Sequence, residues 1–164
     1  MFQQGQQVIY GGNGVCTIEE IVERETAMLG IQQVYVIRLA SGLTSYVPVE
    51  SSVFMRALIT PEEAEQVLID YPSIDVQSFA GTNSKALSDQ YRAIIARHDP
   101  HEMLCLYKSL TRKVVQARRA GKKPGTMDER FAAAALEQVV QELSVVLRRP
   151  PKEICEQLLE AAPA

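Results

Sequence analysis

Residues 7–18 read Gln7-Val8-Ile9-Tyr10-Gly11-Gly12-Asn13-Gly14-Val15-Cys16-Thr17-Ile18. Two short runs rich in β-branched side chains flank four residues that tolerate positive φ, the pattern of an antiparallel hairpin. The rhythm returns in Val34-Tyr35-Val36-Ile37-Arg38-Leu39 and in Leu43-Thr44-Ser45-Tyr46-Val47-Pro48-Val49, with Ser41-Gly42 turning the chain between them. Four or five short antiparallel strands in so little chain do not make a large sandwich. The expected closure is a small SH3-like or Tudor-like barrel, which leaves few open edges. Pro48 then sits at a strand end, where its missing N–H matters little.

After Leu58 the pattern becomes helical. Thr60-Pro61-Glu62-Glu63 is a capping box with proline at the first helical position, and the helix it starts should stop near Tyr71-Pro72. Asp99-Pro100-His101-Glu102 and Thr126-Met127-Asp128-Glu129 repeat that grammar. The helix begun by the latter should end near Arg148, and Pro150-Pro151 separates it from a last helix over residues 152–161. Residues 72–84 form the least ordered stretch in this reading. The expected architecture is α+β in two domains: an N-terminal antiparallel β-barrel over residues 1–58 and an all-α bundle over residues 59–164.

The chain has 164 residues, 46% of them hydrophobic and 23% charged, the composition of a packed fold. Residues 1–7 hold no basic start and no apolar run, and nothing approaches the roughly 18 apolar residues of a membrane span. A cytoplasmic protein without a membrane partner is expected. The three cysteines, Cys16, Cys105 and Cys155, lie far apart and suggest neither a disulfide framework nor a metal knuckle.

The net charge is −3, unevenly spread. Residues 1–74 carry three basic and nine acidic side chains, and residues 75–164 carry fourteen and eleven. Between Lys108 and Lys123 there are seven basic residues (Lys108, Arg112, Lys113, Arg118, Arg119, Lys122, Lys123) and no acidic one. At about 100° per residue, Met103, Tyr107, Leu110, Val114 and Ala117 fall along one side of a helix, with Lys108, Arg112 and Arg119 nearly opposite. Like charges at i,i+4 repel by a few tenths of a kcal/mol, so a one-sign stripe calls for a counter-anion, and phosphate is the usual one. The bland reading of such a run is a solvated face.

The segments GQQVIYGGNGVCTIEEIVERE at residues 5–25, VYVIRL at 34–39 and LTSYVPVE at 43–50 resemble the N-terminal module of CarD and CdnL proteins. That module has a GD-x-VVY start, a P-x-HGVG-like turn, an I-E-E-I segment and a strand ending in VPV. TPEEAEQVL at residues 60–68 is similar to the helix that follows in the family. The resemblance implies a Tudor-like domain that docks on the β subunit of bacterial RNA polymerase. It also implies a helical domain that contacts promoter DNA near the upstream edge of the melted region and stabilises the open complex. By this resemblance Arg24 stands at a polymerase-contacting arginine, Tyr46 replaces a second basic residue, and Val47 opens the VPV segment.

The family's tryptophan wedge before an R-R-Y segment has no tryptophan here. Alignment on Tyr91 puts Leu87 at the wedge position and leaves Arg92 as the local positive charge, while Arg130 matches a later basic segment. Leucine is a known wedge between base steps, with less area than an indole. Together with Lys108, Arg112, Arg119, Lys122 and Lys123 these are the candidate DNA-binding residues. Their backbone contacts give position without sequence reading, and polymerase docking gives the address.

No enzyme, cofactor, metal or small-molecule substrate is expected. His98, His101 and Cys105 lack a fourth ligand, Gly11-Gly12-Asn13-Gly14 is followed by no helix or Lys-Ser/Thr, and two histidines support no Ser-His-Asp grouping. The rival to a DNA-contacting regulator is an adaptor whose helical domain binds an acidic protein surface.

Overall fold

The computed structural model describes residues 1–79 and 83–161, which fall into two compact units, Met1–Ile59 and Thr60–Ala164. The first holds strands β1 (Gln7–Tyr10), β2 (Val15–Thr26), β3 (Gly30–Arg38), β4 (Thr44–Pro48) and β5 (Met55–Ala57). They form one antiparallel sheet in the order β4-β3-β2-β1-β5. The Gly11–Asn13 turn is a single 3₁₀ turn, closed by Tyr10 N–H on the Gly14 carbonyl at 3.1 Å.

Alternation along the strands builds the core. Val8 faces Cys16 across the β1–β2 ladder, Ile18 faces Ile37 across β2–β3, and Tyr35 faces Val47 across β3–β4; all six are buried in one cluster. Phe2 packs on this cluster and donates its backbone N–H to the Tyr35 hydroxyl at 3.0 Å. The register slips between Ile18 and Glu20, a bulge that lets β2 run well beyond Ile18, where the hydrophobic pattern stops being legible.

The second unit holds α1 (Pro61–Asp70), α2 (Ser84–Ala96), α3 (Pro100–Arg119), α4 (Thr126–Leu147) and α5 (Pro151–Ala161). The α3–α4 pair is its centre, with Leu104, Leu106, Leu110, Ala135, Val139 and Leu143 fully or almost fully buried. The Thr60 capping box is complete: its hydroxyl accepts from Glu63 N–H at 3.1 Å, and the Glu63 carboxylate accepts from Thr60 N–H at 3.3 Å. Asp99 caps α3 at 3.0 Å.

One expectation needs correction. Thr126 is the first helical residue of α4 rather than its cap, which is Gly125 with no side-chain bond. The carboxylate that would close a box on Thr126, Glu129, instead pairs with Arg118. Within the stretch read as least ordered, residues 74–77 are tied to α3, and α2, capped by Asn83 at 2.8 Å, follows directly. Residues 80–82 of that stretch lie outside the described residues.

Candidate functional site

On the sheet unit, the structure brings Arg24 and Tyr46 together. Their strands are separated by β3, and the Arg24 guanidinium carbon lies 3.9 Å from the centroid of the Tyr46 ring. Tyr46 stays 50% exposed, so the pair is a flat cationic platform on the surface. Stacking holds a guanidinium in one orientation while its N–H edge remains free to meet carboxylates. Val47 does not belong to this platform: it is 3% exposed, because neighbouring residues on a strand point to opposite faces. Sequence reasoning also missed an apolar tip on the β2–β3 hairpin, where Met28, Leu29 and Ile31 are all largely exposed. The bulge at Glu19 hides the strand that presents it.

On the helical unit the basic run divides. Lys108 is only 9% exposed, and its ammonium donates to the carbonyls of Tyr71, Pro72 and Ile74 at 3.2, 3.0 and 2.7 Å. It is a structural tie to the turn after α1, and its place in the expected phosphate-binding set is withdrawn. Lys113 pairs with buried Asp128 at 3.1 Å, and Arg118 with Glu129 at 2.7 Å. Arg112, Arg119, Lys122 and Lys123 are exposed and form no ion pair among the described residues.

The other candidates spread over two more helices. Leu87 is partly buried on α2, one turn before buried Tyr91, and Arg92 is exposed on the same helix. Arg130 is exposed on α4 with its guanidinium 5.4 Å from the ring of Phe131. Counted by these units, the charge asymmetry also changes. Residues 1–59 carry three basic and five acidic side chains and residues 60–164 carry fourteen and fifteen, so each unit is slightly acidic. The four carboxylates of α1, Glu62, Glu63, Glu65 and Asp70, offset the basic run.

Tyr91 is the hub beneath this surface. Its hydroxyl donates to Asp128 at 3.0 Å, and its ring meets Phe79 and Phe131 edge-on at 5.3 and 5.4 Å. Burial, reinforced by the Asp128 hydrogen bond, pushes the phenol well above its ordinary range. Burial likewise pushes Tyr71 up to about 12. The residues considered as metal ligands are engaged otherwise: His101 meets Asp70 at 3.1 Å, Cys105 donates to the Asp75 carbonyl at 3.4 Å, and His98 is buried. Hydrogen bonding from Gln66, then from His101, holds the Asp70 carboxyl below its usual range. Among the described residues no cluster of His, Cys, Asp and Glu is suited to a metal ion, and no helix is long and apolar enough to cross a membrane.

Comparison with curated proteins finds no match. The family model described as CarD-like/TRCF RID domain matches residues 2–59, which is the sheet unit almost to the residue. The N-terminal unit is therefore similar to a CarD-like/TRCF RID domain, the description of an RNA polymerase-interacting domain.

Proposed function

We propose that the protein is a non-enzymatic bacterial transcription regulator. In this reading its N-terminal unit, a Tudor-like barrel in the family's manner, docks on the β subunit of RNA polymerase. The helical unit then touches promoter DNA and stabilises the open complex, in the cytoplasm. The observation that carries the docking half is the Arg24–Tyr46 stack, an exposed and oriented cation at the position where the family keeps a polymerase-contacting arginine. Arg112, Arg119, Lys122 and Lys123 supply the DNA half with unpaired positive charge, aided by Arg92 and Arg130, with Leu87 as the wedge.

Co-purification of the intact chain with RNA polymerase tests the docking. Arg24→Glu is expected to abolish retention, and an isolated β-subunit fragment should compete; unchanged retention of Arg24→Glu would sink the proposal. A second reading, the adaptor without DNA contact, is favoured by one observation: three of the seven cations of the basic run are already used inside the helical unit. Duplex binding in the presence of polymerase separates the two readings. Dependence on Lys122 and Lys123 supports the regulator, and no duplex contact at any salt concentration supports the adaptor.

A further inference from the structure

The helical unit contains a groove of about 640 Å³ between α3 and residues 71–76. That volume lies in the range of roughly 300–1,000 Å³ common for small-molecule sites. The wall opposite α3 is pinned. Lys108 binds three of its carbonyls, Cys105 donates to a fourth at Asp75, and the Gln77 N–H donates to the Ser109 hydroxyl at 2.8 Å. A groove fixed in this way exists before any ligand arrives, which removes an ordering cost from binding.

The lining is apolar at Ile74, Tyr107 and Val115 and cationic beside them. Among the described residues the ammonium of Lys108 meets carbonyls and no carboxylate, so only carbonyl dipoles offset its charge under the floor. Arg112 and Arg119 lie seven residues apart on one stripe of α3, separated by about 10 Å along the helix axis, and neither has an ion-pair partner among the described residues. One carboxylate, Asp75, lines the groove against these three cations. The excess positive charge acts next to apolar surface, where an anion is held more strongly than in open water.

We propose that this groove binds a small anion with an apolar body. Its acidic group is held by Arg112 and Arg119 and its body lies against Ile74, Tyr107 and Val115. A DNA backbone brings phosphate without an apolar body and leaves that floor uncovered. The site therefore goes beyond the transcriptional reading and does not depend on it.

The probe is 8-anilinonaphthalene-1-sulfonate, titrated by fluorescence into the intact chain. Saturable binding of one probe per chain is expected, weakened about tenfold or more by Arg112→Gln with Arg119→Gln, the loss of a charge-assisted hydrogen bond. Thr111→Trp should fill the groove and block binding. Because that variant is able to perturb the fold, circular dichroism accompanies it, and the two exposed arginines carry the decision. The uncharged N-phenyl-1-naphthylamine should bind at least tenfold more weakly. Non-saturating fluorescence, equal affinity in the double glutamine variant, or equal affinity for the neutral probe would each overturn the proposal. Lys122→Gln with Lys123→Gln, which lie outside the groove lining, should weaken duplex binding and leave probe affinity unchanged, and a parallel loss of probe affinity would overturn the placement of the probe at Arg112 and Arg119. Displacement of the probe by acidic peptides but not by small carboxylates or phosphates would reassign the groove to a protein partner.

Discussion

At the scale of single residues, the same side-chain type does opposite work depending on where the backbone puts it. Lys108 and Lys122 are both lysines of the basic run, yet one bonds three carbonyls in the interior and the other projects into solvent. Lys108→Met should destabilise the protein by about 2–3 kcal/mol, since it leaves those carbonyls unpaired. Lys122→Met should stay within about 0.5 kcal/mol. Urea denaturation of both variants checks this, and equal midpoints would contradict the buried tie. The buried phenols make a second residue-level prediction. Tyr71 at about 12 and Tyr91 higher still keep their protons in the folded protein above pH 10, where an unfolded tyrosine of ordinary pKa near 10 loses its own. Their contribution to stability is complete below about pH 10 and is lost as pH rises from there through pH 12 and beyond. Denaturation midpoints taken from pH 9 to 12 should fall, and Tyr91→Phe should flatten the fall.

At the scale of elements, α2, α3 and α4 are joined by one buried carboxylate. Asp128 accepts from Tyr91 of α2 and pairs with Lys113 of α3, while its neighbour Glu129 meets Arg118 in the open. Asp128→Ala is expected to cost about 2–4 kcal/mol, because it strands a buried hydroxyl and an oriented cation together. Glu129→Ala should cost less than about 1 kcal/mol, as exposed ion pairs do. Thermal melts of the two variants decide, and a larger loss from Glu129→Ala would mean that the clamp lies on the surface. The caps of α1 and α3 were readable in the sequence because a capping box is local: donor, acceptor and proline sit within four residues. The Thr126 box does not form: Gly125 is the cap, and the Glu129 carboxylate meets Arg118 of another helix, a partner that a four-residue window does not contain. In the sheet, β1 could be read from its β-branched run ending at the glycine-rich turn, whereas the outer half of β2 could not, since the bulge after Ile18 breaks the period of two.

At the scale of the whole molecule, the uniformly basic run does not make the helical unit basic. Its net charge is close to neutral, so any grip on DNA comes from a local cluster. Four phosphates engaged by Arg112, Arg119, Lys122 and Lys123 correspond to a slope of about −3.6 in log affinity against log salt. A duplex titration with intact chain and polymerase should give a value near this, decreasing by about 0.9 for each lysine removed. A slope unaffected by either lysine would exclude that cluster.

Four of the five strands and four of the five helices (all but β5 and α2), the boundary between a β-rich and a helical part, and the likeness of residues 5–50 to a polymerase-binding module are carried by local patterns: alternation, caps, turn residues and short motifs. Which cations face outward is a different kind of fact. Lys108 became interior because the turn after α1 presents three carbonyls to it, Val47 turned inward while Tyr46 met Arg24 across β3, and Lys113 found Asp128 on another helix. Such pairings join residues distant in sequence, and only the packed chain brings them within hydrogen-bonding reach.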